Sequence, residues 1–120
     1  MYTVEFYEDE NGNCEIGQLF AELAEKGKTD KNARINKNKI AEHILLLKQY
    51  GTRIGYPVVR QIDGDIWELR PLKNRIFFFY WKENKIVLLS HYIKKTQKAP
   101  KREIEKAKAN MRDWLEREEK

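Results

Sequence analysis

The longest run of apolar residues in this chain is Ile76–Trp81, which reads IFFFYW and contains no charged side chain. Such a run is far shorter than the roughly 20 apolar residues of a membrane-spanning helix. A short, continuous run that is rich in aromatic residues is typical of a strand covered on both of its faces. The sequence therefore predicts that Arg75–Trp81 is the central strand of a sheet.

The sequence around this strand predicts an antiparallel meander of four strands. Val58–Ile62 leads into Asp63-Gly64, a dipeptide that favours a tight hairpin, and Ile66–Arg70 returns from that turn. After the aromatic strand, Glu83-Asn84 indicates another turn, and Lys85–Ile93 continues from it with the apolar centre IVLL. Strands joined by such short turns pair with each other in opposite directions.

Helical patterns precede and follow the meander. A short first strand, Tyr2–Tyr7, is expected to lead into two consecutive helices. The first helix is expected to be capped by Asn13 and to end at Gly27. The second is expected to be capped by Thr29 or Asp30 and to end at Gly51. The core side of the second is expected to carry Ile40, Ile44, Leu45 and Leu47. Pro100 is expected to open a C-terminal helix. The prediction is a single α+β domain over residues 1–120.

Composition excludes several other classes. The single cysteine, Cys14, leaves no internal disulfide, and the acidic N-terminus lacks the apolar segment of a signal peptide. We therefore expect a cytoplasmic protein that does not enter a membrane. The two histidines, His43 and His91, have no ligand-like spacing, and no phosphate-binding glycine loop is present, so neither a metal nor another cofactor is expected.

The candidate functional residues are cations at the ends of the late strands. Arg70 ends one strand and Arg75 opens the next, and the last strand returns antiparallel to the same rim of the sheet. The residues expected to converge there are Arg70, Lys73, Arg75, His91, Lys94 and Lys95, followed by Lys98, Lys101 and Arg102. Because a guanidinium is a planar fork that suits phosphate, this rim predicts contact with phosphodiesters.

Plainer interpretations of these residues remain open. Lysines at strand ends also serve solubility and protect sheet edges. His91 is either an acid or base, or a hydrogen-bonded histidine within a strand. The aromatic run and Trp67 are interpreted as core rather than as a platform for stacking bases, with Tyr80 and Tyr92 as candidate exposed exceptions. Glu68 is interpreted as a strand-face residue without a chemical role.

The C-terminal half of the chain, roughly residues 56–114, resembles the RelE/ParE superfamily of toxins, and specifically its phage-derived HigB-like branch. The resemblance depends on an E-L-R strand end at Glu68–Arg70, an arginine that opens the next strand, and an aromatic strand followed by I-V-L-L. The motif K-K-T-x-K-x-P at Lys94–Pro100 then precedes the last helix. The strand–helix–helix opening of the chain agrees in order with such a RelE-like fold.

The resemblance implies the toxin of a type II toxin–antitoxin system, which acts as a ribosome-dependent mRNA endonuclease and inhibits translation. In that chemistry the 2′-hydroxyl of the RNA attacks the adjacent phosphate without a metal. Arg70 and Arg75 would clamp the phosphate, Lys94 or Lys95 would carry a proton, and His91 is a further catalytic candidate. Lys73, Lys98, Lys101 and Arg102 would contact RNA.

The partners implied by the resemblance are a helix-turn-helix antitoxin, mRNA and the ribosome, with operator DNA reached only through the antitoxin complex. Two other functions remain open at this point. One is a ParE-like toxin, which inhibits a topoisomerase by binding. The other is a non-enzymatic basic module that only contacts RNA or an antitoxin.

Overall fold

The computed structural model describes residues 1–119 and has the predicted α+β arrangement. Its elements are β1 (Thr3–Phe6), α1 (Glu15–Lys26), α2 (Lys31–Tyr50), β2 (Val59–Asp63), β3 (Ile66–Leu69), β4 (Asn74–Trp81), β5 (Lys85–Ile93) and α3 (Lys101–Glu118). A short 3-10 turn at Gly51–Ile54 follows α2. None of the helices in the described part of the chain combines the length and hydropathy that a membrane crossing requires.

The five strands form one sheet in the order β1-β5-β4-β3-β2. Strands β2 to β5 pair antiparallel in succession, which confirms the predicted meander. The aromatic strand β4 lies at the centre, and Phe77 and Phe78 are fully buried. The N-terminal strand β1 joins the edge of the sheet parallel to β5, so the complete sheet is mixed.

The two faces of the sheet bury different residues because successive side chains of a strand point to opposite sides. Ile76 and Phe78 belong to a core cluster that includes residues of α1 and α2, whereas Phe77 and Phe79 belong to a cluster that includes residues of α3. We call these sides the α1/α2 face and the α3 face. Every side chain of β4 can therefore be assigned to one of two separate environments.

Two expected details of the helices are wrong. The cap of α1 is Cys14, whose Sγ accepts a hydrogen bond from the Gly17 amide, whereas Asn13 donates to Asp9 in the preceding turn. Leu45 is 54% exposed and lies outside the core face of α2, because each helical residue is rotated about 100° from the previous one. Asp30 caps α2, as one of the two expected alternatives.

Candidate active site

Three arginines surround one buried carboxylate on the α3 face of the sheet. Glu68 in β3 pairs with Arg60 in β2 and with Phe77 in β4, and Arg75 lies two residues before Phe77 on the same face. The Oε1 atom of Glu68 lies 3.4 Å from Arg70 Nη1, 3.7 Å from Arg60 Nη2 and 3.8 Å from Arg75 Nε. The side chain of Glu68 is 0% exposed, so the cations shield it from water.

Tyr92 in β5 completes this group of side chains. It lies opposite Arg75 in the register of β4 and β5, and its hydroxyl donates a 3.0 Å hydrogen bond to Oε2 of Glu68. Burial raises the pKa of Tyr92 above its usual value, and the neighbouring charge of Glu68 raises it further. The hydroxyl therefore keeps its proton at neutral pH, and both oxygens of Glu68 have partners.

The guanidinium of Arg75 is held in place by main-chain atoms. Its Nη1 donates hydrogen bonds of 2.8 Å to the carbonyl oxygens of both Leu72 and Asn74, and the residue is only 5% exposed. Burial and the positive charge of Arg70 lower the pKa of Arg75, but an arginine remains charged at neutral pH. The site thus contains a cation in a fixed orientation.

The remaining two arginines lie nearer to solvent. The guanidinium of Arg70 lies over the ring of Tyr56, 5.1 Å from its centroid, and the Arg60 side chain is 38% exposed. Three guanidinium groups and one carboxylate leave the arginine cluster, which we define as Arg60, Glu68, Arg70, Arg75 and Tyr92, with a net charge of about +2 at neutral pH. Such a cluster can accept a further oxyanion, for which arginine has matching geometry.

A cleft of about 450 Å³ lies beside the arginine cluster, between the end of β5 and the beginning of α3. Tyr92 lines the cleft and also contacts Glu68, so it forms a wall that the cleft and the cluster share. Two predicted RNA-contacting or catalytic cations, Lys95 and Arg102, line the same cleft. Glu103 also lines the cleft, and its Oε2 lies 3.7 Å from Nε of Arg102, so the cleft adds Lys95 to the positive surface beside the cluster while Arg102 is already paired.

The other predicted lysines are distributed around this rim. Lys73 is exposed in the turn between β3 and β4, and its carbonyl oxygen accepts a hydrogen bond from the Lys94 amide, which places these two residues together. Lys98 and Lys101 are exposed on the approach to α3 and at its first residue. Among residues 1–119, no group of three His, Cys, Asp or Glu side chains is arranged as metal ligands.

His91 does not join the arginine cluster, contrary to the expected convergence. It pairs with Ile76, which places its ring on the α1/α2 face, across the sheet from Arg75. There its Nε2 lies 2.9 Å from Oδ1 of Asn74, and its main-chain amide donates to Oε2 of Glu15. Burial lowers the pKa of His91, so the ring is neutral at pH 7.

The sequence interpretation missed the contributions of Glu68, Tyr92 and Arg60. For Glu68 a signal was available in the alternation of side chains along a strand, because residues 66, 68 and 70 face the same way. Glu68 was interpreted without a chemical role, and the structure corrects this, since a carboxylate at 0% exposure requires compensating charges. Those charges are the guanidinium groups of Arg60, Arg70 and Arg75, which only the pairing of the strands brings together around Glu68.

The two partly buried histidines, His43 and His91, predict a pH dependence of stability. The pKa of each is lowered in the folded protein, mainly by burial, from an ordinary value of 6.5. The unfolded chain then binds more protons, so their contribution to stability is complete above pH 6.5 and declines as the pH falls below it. We expect urea denaturation of His43→Gln/His91→Gln to show a smaller loss of unfolding free energy between pH 7 and 5 than the wild type. Parallel pH profiles would contradict this assignment.

The fold is that of a small α+β protein in which three arginines surround one buried carboxylate at the rim of the sheet. Residues 28–112, from before α2 into the second half of α3, match the model of the phage-derived Gp49-like protein family (DUF891), and the chain belongs to that family. The family is generally associated with the toxins of toxin–antitoxin systems. A search of curated proteins found no match. The matched segment contains the entire arginine cluster.

Proposed function

We propose that this protein is a type II toxin of the HigB-like branch of the RelE/ParE superfamily and that it cleaves mRNA as a metal-independent, ribosome-dependent endoribonuclease. The observation that carries the proposal is the arginine cluster beside a cation-lined cleft. The cluster holds three guanidinium groups around the single carboxylate of Glu68, and the surplus positive charge suits a phosphate whose negative charge increases during reaction. The Gp49-like family membership supports the toxin class.

In the proposed reaction the 2′-hydroxyl of the RNA attacks its own 3′-phosphate, which forms a 2′,3′-cyclic phosphate and releases a 5′-hydroxyl end. The negative charge on the phosphate oxygens increases in the transition state. Arg70 and Arg75 stabilise that charge, and removing a single preorganised donor of this kind costs about 10²–10³-fold in rate. Because two carbonyl oxygens hold the guanidinium of Arg75 before the substrate binds, this group does not have to reorient during the reaction.

Proton transfer is assigned to the lysines at the end of β5. Lys95 lines the cleft next to Tyr92, and Lys94 lies on the rim beside Lys73, so both are within the region that RNA would occupy. One lysine would remove the proton of the 2′-hydroxyl, and a protonated group would donate a proton to the leaving 5′-oxygen as its bond to phosphorus breaks. The exposed cations Lys73, Lys98, Lys101 and Arg102 would contact neighbouring phosphates.

The proposed partners follow from this function. A helix-turn-helix antitoxin would neutralise the protein, and operator DNA would be reached only through that complex. The mRNA substrate would be presented by the ribosome in the cytoplasm. The positive rim provides the electrostatic attraction that association with RNA requires.

Expression in bacterial cells tests the proposed function. Induction of the wild type is expected to arrest growth and produce new 5′ ends within mRNAs, and Arg70→Ala/Arg75→Ala is expected to do neither. The matched control is Arg53→Ala/Arg112→Ala, which removes two exposed arginines outside the cluster and should behave as wild type. The measurement is sequencing of mRNA 5′ ends, with soluble protein quantified by immunoblot.

Two outcomes would contradict the nuclease proposal. Growth arrest without new mRNA ends would instead favour a ParE-like toxin that inhibits a topoisomerase. Arrest and cleavage that persist without both arginines would place the functional surface elsewhere on the molecule.

A further inference from the structure

The side chain of Asn74 connects three parts of the protein on the α1/α2 face. It is 2% exposed, and its Nδ2 donates to Oδ1 of Asn36 in α2 at 2.9 Å and to the carbonyl oxygen of Pro71 at 3.1 Å. With both donors directed at oxygens, Oδ1 of Asn74 must accept, so the Nε2 of His91 carries a proton and donates to it at 2.9 Å. The amide therefore has a defined orientation.

The same residue closes the turn that holds Arg75. The main-chain amide of Asn74 donates to the carbonyl oxygen of Pro71, and between them Leu72 adopts φ 57°, a left-handed conformation that is strained for a non-glycine residue. The carbonyl groups of Leu72 and Asn74 in this turn are the two acceptors of Arg75 Nη1. The orientation of the arginine thus depends on a turn conformation that other contacts must maintain.

Those contacts come from the opposite face of the sheet. Asn74 and Arg75 are consecutive residues of β4, so one side chain points to α1 and α2 and the other points into the arginine cluster. Asn36 fixes Asn74 from α2, and His91 fixes it from β5. The Lys94 amide also donates to the Lys73 carbonyl, which ties the turn to the end of β5.

We propose that Asn36, Asn74 and His91 form a positioning network that fixes the guanidinium of Arg75 from the far side of the sheet. His91 is then a positioning residue that never contacts RNA. The consequence for catalysis rests on the proposed nuclease function, whereas the consequence for the Arg75 side chain does not. A misplacement of about 1 Å in such a group can cost about 10²-fold in rate.

Matched variants test each end of the network. His91→Gln keeps a nitrogen donor near the position of Nε2, whereas His91→Leu removes it. Asn36→Asp keeps an acceptor oxygen for Asn74 Nδ2, whereas Asn36→Leu removes it. Position 36 of α2 is only partly buried. His43→Leu is the control, because its ring bonds to the Lys39 carbonyl within α2 and does not contact the turn.

The first readout is the NMR signal of the Arg75 Nε–H group, assigned by its absence in Arg75→Lys. In wild type, His91→Gln, Asn36→Asp and His43→Leu, we expect one sharp signal that exchanges slowly with water. In His91→Leu and Asn36→Leu, we expect the signal to move, and its exchange to accelerate about tenfold or more, since the turn loses a constraint. An unchanged signal in both leucine variants would overturn the proposal.

The second readout is cleavage of mRNA on programmed ribosomes. The leucine variants are expected to lose about 10–10²-fold in kcat with little change in KM, and the variants that keep the hydrogen bond should retain the wild-type kcat. If His91→Gln abolishes cleavage while the Arg75 signal is unchanged, His91 acts directly on the substrate and the proposal is wrong. If the wild type cleaves no RNA, the proposed function fails, and the NMR signal still decides whether the network positions the Arg75 guanidinium.

Discussion

Replacing Glu68 with glutamine is expected to lower the free energy of unfolding by about 3–5 kcal/mol, although the two side chains are nearly the same size. The carboxylate is fully buried and is the shared counter-ion of three arginines. Without its charge, Arg75 remains buried beside Arg70 with no compensating anion. Urea denaturation at pH 7, with circular dichroism as the probe, measures the change.

The control for this substitution is Glu116→Gln, at an exposed position of α3, which is expected to change stability by less than about 0.5 kcal/mol. A further variant, Glu68→Leu/Arg75→Met, replaces one buried charge pair with apolar side chains and is expected to recover part of the loss. A loss below about 1 kcal/mol in Glu68→Gln would show that water, rather than Glu68, stabilises the arginines.

Arg75→Lys is expected to reduce the single-turnover rate of RNA cleavage by about 10²–10³-fold, even though the positive charge is retained. The guanidinium uses Nη1 to bind two carbonyl oxygens and keeps its Nε side toward Glu68, so its remaining edge has a fixed direction. A lysine has one nitrogen and cannot bind both carbonyls while presenting a planar fork to phosphate. The measurement is a rapid-quench assay with the enzyme in excess over programmed ribosomes.

Arg112→Lys is the matched control, since Arg112 is exposed on α3 outside the arginine cluster, and its rate should equal that of the wild type. Denaturation of both variants separates a loss of rate from a loss of folded protein. A wild-type rate in Arg75→Lys would mean that net charge alone, rather than the orientation of the guanidinium, supports the reaction.

Much of the architecture followed from local patterns. The uncharged aromatic run predicted the central strand because a strand that is buried on both faces is apolar over most of its length, and β4 occupies that place. Asp63-Gly64 predicted the β2–β3 hairpin, and Gly64 has the positive φ that such a turn uses. The parallel addition of β1 to β5 was not predicted, since no local pattern specifies which distant edge a short strand joins.

The resemblance of residues 56–114 to toxins agrees with membership of the Gp49-like family over residues 28–112, a family generally associated with the toxins of toxin–antitoxin systems. The residues that supported the resemblance include Glu68, Arg70 and Arg75, which the structure brings together. The resemblance could not assign Glu68 a role, because the E-L-R motif is contiguous in sequence whereas Arg60, Arg75 and Tyr92, which contact its glutamate, come from three other strands.

Sequence alone predicted that cations gather at one end of the antiparallel meander β2–β5, because its hairpins bring the end of one strand beside the start of the next. Which side chain faces those cations was decided by a single irregularity in the tertiary structure. Counting straight back from the Glu83-Asn84 turn places His91 opposite Arg75, but a bulge shifts the register between Phe77 and Phe78. Beyond the bulge, Tyr92 lies opposite Arg75 and His91 turns to the other face. Because side chains alternate with a period of two, one extra residue exchanges the two faces of a strand, and no local pattern in this chain marks where that residue is inserted.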